Sequence, residues 1–249
     1  MCELADLFGQ PCDGCGRSPL AIAGAIRVAH ELLEPGQVHN RPIFANRQEA
    51  GRRLAVTLAD LAGAADVLVL GLPRGGVPVA AEVSQALGVP LDVFVVRKLG
   101  VPGQPELALG AIASGGTVVL NDDIVHRVGI DETRLQAIVD AERAEVEARD
   151  ELYRGGRPPL EIDGTTVVLV DDGLATGATM RAAVAAVRQR SATSVVIAVP
   201  VGAPEAVEML RAEADRVEAV STPPDFVAVG LWYRDFRQVS DDEVRRLLG

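Results

Sequence analysis

The chain has 249 residues, a formal net charge of −11, 48% hydrophobic residues and 3% aromatic ones. The acidic excess argues against broad nucleic-acid binding, which depends on neutralising phosphates, and no apolar run approaches the ~20 residues of a membrane span. With so few aromatics the core must be Val, Leu, Ile and Ala, a composition typical of parallel sheets covered by helices.

Residues 1–39 read as a separate N-terminal extension. They carry all three cysteines and a helical stretch from Pro19 to Leu33, ended by Glu34-Pro35-Gly36. Cys12 and Cys15 form half of a zinc-type pair. No second pair follows, and His30 and His39 lack ligand-pair spacing, so free thiols, Cys2 included, are the expectation. The opening also lacks the basic-then-apolar pattern of a signal peptide. The expectation is a cytoplasmic protein with neither membrane nor nucleic acid among its partners.

Residues 40–249 read as one domain. Arg47 to Leu61 is an amphipathic helix, Val67 to Gly71 a buried strand, and Val77 to Leu87 a helix. Leu91 to Val96 reads as a second strand. Leu107 to Ile112 and Thr117 to Leu120 suggest a hairpin about Gly115-Gly116. A long charged helix from Asp131 to Leu152 is broken by Gly155-Gly156-Arg157-Pro158-Pro159. Then come a strand to Val170, a helix from Met180 to Arg190, a strand from Ser194 to Val199, a helix from Pro204 to Ala214 and a strand from Val217 to Val220. A small helix from Asp241 to Leu248 closes the chain. Strands alternating with helices predict an α/β fold with a doubly wound, mainly parallel sheet, whose ligands sit at the carboxyl ends of strands.

The segment Val167-Val168-Leu169-Val170-Asp171-Asp172-Gly173-Leu174-Ala175-Thr176-Gly177-Ala178-Thr179 carries the most chemistry. An apolar strand ends in two carboxylates, and a turn of small and hydroxyl residues leads into a helix. Free N–H groups and the positive dipole end at a helix start favour phosphate. Gly177 permits close backbone approach, and Thr176 and Thr179 can donate hydroxyl hydrogen bonds. Adjacent carboxylates repel, so ribose hydroxyls or a hard cation such as Mg²⁺ would offset them. A ribose 5-phosphate uses all of these features together.

This segment resembles the phosphoribosyl diphosphate (PRPP) loop of type I phosphoribosyltransferases. The resemblance covers roughly residues 41–240 and implies that family's fold, with a small C-terminal hood over the acceptor. Asp171, Asp172, Ala175, Thr176, Gly177, Ala178 and Thr179 would bind PRPP, and Asp171 and Asp172 would meet the Mg²⁺. The loop Gly71-Leu72-Pro73-Arg74-Gly75-Gly76 stands where the family binds pyrophosphate, often through a non-proline cis peptide. Arg74, Gly75 and Gly76 are its candidates, with an ordinary turn as the alternative. Arg97 and Lys98, placed at the end of the second strand, resemble the basic pair of adenine-type members, or form a solvated basic turn.

The family also carries a mobile loop that closes over the reaction. Two stretches are candidates: Tyr153-Arg154-Gly155-Gly156-Arg157, through Arg154 or Arg157, and Glu106-Leu107-Ala108-Leu109-Gly110. Hypoxanthine-type members place an Asp base where this chain has Ala175, as adenine- and uracil-type loops do. Acid–base work then falls to Glu106 or to the acceptor itself, with Arg74 beside it in the catalytic set. In Pro224-Asp225-Phe226-Val227-Ala228-Val229-Gly230-Leu231-Trp232-Tyr233, Phe226 and Trp232 are candidates to stack on a base, with core packing as the alternative.

The implied reaction transfers the phosphoribosyl group of PRPP to a nitrogen acceptor, a nucleobase by expectation, and releases pyrophosphate. A homodimer is the expected assembly. The alternative is a PRPP- or nucleotide-sensing regulatory protein with little turnover. A dinucleotide-dependent oxidoreductase is disfavoured by the missing Gly-x-Gly-x-x-Gly spacing, and a hydrolase of a phosphorylated sugar stays open.

Overall fold

In the computed structural model the described residues are 42–101, 104–159 and 161–249, with the backbone alone described for 104–107. The extension of residues 1–39 and its cysteines lie outside this set. In chain order the elements are α1 (Arg47–Thr57), β1 (Val67–Gly71), α2 (Gly76–Leu87), β2 (Leu91–Val93), β3 (Val96–Val101), β4 (Gln104–Ala113), β5 (Thr117–Leu120), α3 (Asp122–Val128) and α4 (Glu132–Arg154). They continue as β6 (Thr166–Val170), α5 (Ala178–Gln189), β7 (Ser194–Val201), α6 (Pro204–Arg211), β8 (Arg216–Ser221) and α7 (Asp241–Leu248). Short 3-10 turns occupy Ala59–Leu61, Ser114–Gly116 and Val229–Trp232.

The β-branched runs behave as their composition predicts. β2, β1, β6, β7 and β8 form one parallel sheet in that order. Side chains alternate across it. Leu68, Leu70, Val167 and Leu169 pack with Met180, Ala183, Val184 and Val187 of α5 and with Val207 and Leu210 of α6. Val67, Val69, Val168 and Val170 pack on the other face with Leu54 of α1, with Leu58 just after it and with Val79 and Val83 of α2. Helices on both faces make the sheet doubly wound, as expected.

β3, β4 and β5 form a separate antiparallel sheet. Its β4–β5 hairpin turns at Ser114–Gly116, where Gly115 and Gly116 both take positive φ. The strand expected over Leu91 to Val96 divides here. β2 ends at Val93, the Phe94 N–H donates to the Gly71 carbonyl (3.0 Å), and the Val95 N–H donates to Ser114 Oγ (2.8 Å). The chain thus leaves one sheet and enters the other within two residues, a change that hydropathy does not mark. Arg97 and Lys98 consequently lie inside β3, not at the end of a strand of the parallel sheet. Hydropathy patterning does not mark the helix α3 either. It is short, capped by Asn121 and ended by Gly129 in the left-handed region.

Residues 222–240 fold back over the carboxyl edge of the parallel sheet. Phe44 bridges to Tyr233, and together with Ala50, Val201 and Trp232 they form a small core of their own. Among the described residues no helix is long and apolar enough to cross a membrane.

Candidate functional site

Two loops leave neighbouring parallel strands at the same sheet edge. β6 ends at Val170 and delivers Asp171 and Asp172. β1 ends at Gly71, and the Leu72 N–H donates to the Val170 carbonyl (2.9 Å). The following loop contains the cis peptide Pro73–Arg74 and then Gly75-Gly76. These glycines lie against the acidic pair. A Cβ on Gly75 would stand 2.0 Å from Asp172 Oδ2, and one on Gly76 would stand 2.5 Å from the Val170 carbonyl oxygen. Only a residue without a side chain fits at either place.

The acidic pair is held from several directions. Arg47, the first residue of α1, sets both Nε and Nη2 at 2.8 Å from Asp172 Oδ2. Its Nη1 donates to the Arg237 carbonyl (2.8 Å), and its guanidinium lies 3.9 Å over the Phe236 ring. The Tyr233 hydroxyl donates to the Asp172 backbone carbonyl (2.6 Å), and the Asp172 N–H donates to Asp171 Oδ1 (2.8 Å). Burial, then the neighbouring Asp172 charge, push the Asp171 carboxyl well above the usual carboxylate range. Burial also raises Asp172, with Arg47 working against that rise. The Tyr233 phenol is pushed far up by burial and the Asp172 charge, so it stays a protonated donor.

Beyond the pair, Gly173 packs beneath Val229, where an added Cβ would stand 2.6 Å from Cγ1. Ala175, Thr176 and Thr179 are exposed and Ala178 half-buried. Gly177, at φ +72°, is the N-cap of α5 and brings no side chain to it. Thr176 Oγ1 lies 3.4 Å from the Ala178 N–H. The start of α5 therefore presents backbone N–H groups and a positive dipole end between two hydroxyls, a seat for phosphate.

The other predicted residues are placed less uniformly. Arg74 is a third exposed and stands 3.8 Å from Asp241 of α7. The same Asp241 oxygen accepts from the Tyr153 hydroxyl (2.8 Å). Burial, then Asp241, push the Tyr153 phenol up to about 12. Arg97 is engaged by Glu142 of α4, whose hydrogen bond raises its pKa. Lys98 points to the opposite face of β3, exposed, in a groove shared with Arg181 of α5. Sharing one pyrophosphate is therefore not the geometry of the Arg97–Lys98 pair. Glu106 falls on β4, but its side chain lies outside the described residues.

Two further expectations are corrected. Arg154 is no lid residue. Its Nε lies 3.1 Å from both Asp92 carboxylate oxygens, Nη1 lies 2.8 Å from Asp150, and Nη2 donates to the Val93 carbonyl (2.7 Å), tying α4 to β2. Arg157 donates to the Arg154 and Leu248 carbonyls (3.1 and 2.9 Å). Trp232 is a core residue, 5% exposed, while Phe226 is half-buried against the same cluster. The apolar side chains the hood presents outward are Val227 and Leu231.

Arg47 and Tyr233 are the residues the sequence reading missed as site components. Arg47 opens an ordinary amphipathic helix, and its partner lies 125 positions away. A half-buried acidic pair was the one available signal, since it calls for a cation from elsewhere. Among the described residues no three or more His, Cys, Asp or Glu side chains cluster as a metal cage. The Asp171–Asp172 pair suits a hard cation that completes its shell with substrate oxygens and water.

A profile of the phosphoribosyl transferase domain matches residues 39–129 and 130–234. Over 202 residues the chain is 51% identical to Mycobacterium tuberculosis proteins of strains H37Rv and CDC 1551, provisionally named phosphoribosyl transferases. That match covers 81% of this chain and 45% of theirs, so the chain spans about half the length of these relatives. The crystal structure of TT1426 from Thermus thermophilus superposes with a TM-score of 0.75 at 49% identity, covering 82% of this chain and 97% of that one.

Proposed function

The chain belongs to the phosphoribosyl transferase domain family, and from that premise we propose that it transfers the 5-phosphoribosyl group of PRPP to a nitrogen acceptor, a nucleobase, releasing pyrophosphate. One observation carries this reading. Paired carboxylates, a helix start without a side-chain cap, and a diglycine loop converge at one sheet edge. They match the ribose hydroxyls, the 5-phosphate and the diphosphate of a single molecule.

The acceptor nitrogen attacks the anomeric carbon, the bond to the diphosphate oxygen breaks, and pyrophosphate leaves with the electron pair. Positive charge develops on the sugar, so the protein contributes mainly by positioning and charge stabilisation. Thr176, Thr179 and the first N–H groups of α5 hold the 5-phosphate. Arg74 and the Gly75-Gly76 backbone hold the diphosphate. Asp171 and Asp172 orient the ribose and would hold Mg²⁺, which when bound neutralises charge on the leaving group. Ala175 offers no base, so the acceptor's proton goes to Glu106 or to water. The β3–β4 hairpin, which carries Glu106, is the better lid, since Arg154 and Arg157 of the other candidate are tied into the fold. The acceptor packs against the hood beside Phe226, Val227 and Leu231. We place the protein in the cytoplasm as a homodimer.

A panel of nucleobases and amines with PRPP and Mg²⁺, read by pyrophosphate release, tests the reading. Release dependent on one acceptor supports it. PRPP binding without release from any acceptor points to the sensing alternative, and no PRPP binding at all overturns both.

A further inference from the structure

We infer that Arg47 is a positioning residue for the acidic pair, presenting Asp172 to the sugar and tying it to the hood. The inference rests on the PRPP reading above and goes beyond it, because Arg47 lies in none of the ligand-binding segments. Both of its contacts with Asp172 fall on one oxygen, Oδ2, at 2.8 Å. Gly75 closes on that same oxygen. The carboxylate is thereby restrained in rotation through Oδ2. The two side chains are 10% and 14% exposed, so the pairing is largely shielded from water and its geometry matters more than that of a surface ion pair.

The rest of the guanidinium is committed to the hood. Nη1 donates to the Arg237 carbonyl, and the plane stacks on Phe236, whose ring centroid lies 5.0 Å from that of Tyr233. Tyr233 returns to the Asp172 backbone through its hydroxyl. A closed circuit results: Arg47 to Asp172, Asp172 to Tyr233, Tyr233 to Phe236, and Phe236 back to Arg47. The circuit meets the proposed ribose seat at Asp172. A lysine keeps the charge but lacks the planar fork needed to serve Asp172, the Arg237 carbonyl and the Phe236 face together.

The test is a double-mutant cycle read by calorimetric PRPP titration, with melting temperature followed in parallel. Arg47→Gln should weaken PRPP binding at least about tenfold, the scale of a charge-assisted hydrogen bond, and Arg47→Lys should recover only part of the loss. On an Asp172→Asn background Arg47→Gln should add little, whereas on an Asp171→Asn background its effect should persist. Pyrophosphate alone, titrated without Mg²⁺, should lose less affinity than PRPP does in Arg47→Gln. A lower melting temperature with unchanged PRPP affinity would make Arg47 purely structural and overturn the inference. Full additivity with Asp172→Asn would also overturn it. Failure of the unsubstituted protein to bind PRPP would instead remove the functional reading, and this inference with it.

Discussion

Gly75 and Asp172 occupy one space: a Cβ added to the glycine would stand 2.0 Å from Oδ2 of the carboxylate. The carboxylate cannot easily swing away, because Arg47 holds that same oxygen. The loop that carries Gly75 and the acidic pair are therefore mechanically one unit, although about a hundred residues separate them in sequence.

Gly75→Ala should thus be costly even though Gly75 has ordinary helical dihedrals, φ −63° and ψ −34°. Overpacking of this kind costs about 1–3 kcal/mol, and PRPP affinity should fall by more than about tenfold as Asp172 is displaced. Gly100→Ala is the control, because a Cβ there meets nothing within 4 Å. If the two variants melt alike and bind alike, the tight packing of loop and carboxylate has no energetic consequence.

Asp171 and Asp172 should separate in their effect on stability. In the folded protein the Asp171 carboxyl holds its proton more tightly than in the unfolded chain, where the value is about 3.9. The folded state carries the extra proton between that pH and the raised folded value. Stability therefore falls as pH rises through this window, and the full cost remains above it. Asp171→Asn removes the cost, so the variant's melting temperature should gain on the parent's as pH is taken from 4 to 7. Asp172→Asn leaves the Arg47 guanidinium without its anion, and a loss of about 1–3 kcal/mol is expected. Each substitution should weaken PRPP or nucleotide binding by roughly 10–150-fold, at about 1.4 kcal/mol per tenfold. A melting temperature for Asp171→Asn that falls at neutral pH, or PRPP affinity unchanged in both variants, would contradict this account.

The contrast between Val167–Val170 and Arg47 explains what could be read beforehand. An apolar β-branched run ending in two carboxylates constrains its own neighbourhood, so strand, turn and helix start were legible as a local pattern. The doubly wound, mainly parallel sheet was legible because strands alternate with helices along the chain. Arg47 was not legible because its role depends on tertiary placement: nothing within ten residues of it marks a buried anion. Arg97 was misplaced for a related reason. The switch from the parallel to the antiparallel sheet at Phe94 and Val95 replaces one backbone hydrogen-bond partner by another and leaves hydropathy unchanged. Trp232 shows the limit of reading a lone aromatic, since stacking on a ligand and filling a core require the same side chain.

Arg74 should matter for diphosphate and little for the fold. Its 3.8 Å approach to Asp241 joins two part-exposed side chains, a pairing worth about 1 kcal/mol or less. Arg74→Ala should melt within a few degrees of the parent. It should bind PRPP and pyrophosphate more weakly while a nucleoside monophosphate, lacking the diphosphate, is comparatively unaffected. Equal losses for PRPP and the monophosphate would place Arg74 outside the diphosphate seat.

Residues 1–39 should be dispensable for the domain, but the boundary should be sharp. Among the described residues the first buried anchor is Phe44, 0% exposed, whose ring centroid lies 5.3 Å from that of Tyr233. Its N–H donates to the Trp232 carbonyl (3.0 Å), and its carbonyl accepts from the Arg234 N–H (2.9 Å). A chain beginning at Asn40 retains this anchor and should melt within about 10 °C of the full chain. A chain beginning at Ala45 loses a buried aromatic, at about 3–5 kcal/mol, together with the backbone pairing that seats the hood. At about 2–4 °C per kcal/mol for a domain of this size, its melting temperature should drop by roughly 6–20 °C. Because the hood carries Tyr233 and Phe236, PRPP affinity should fall with it. A drop of more than about 10 °C already at Asn40 would show that the first 39 residues pack into the core and are not an appendage.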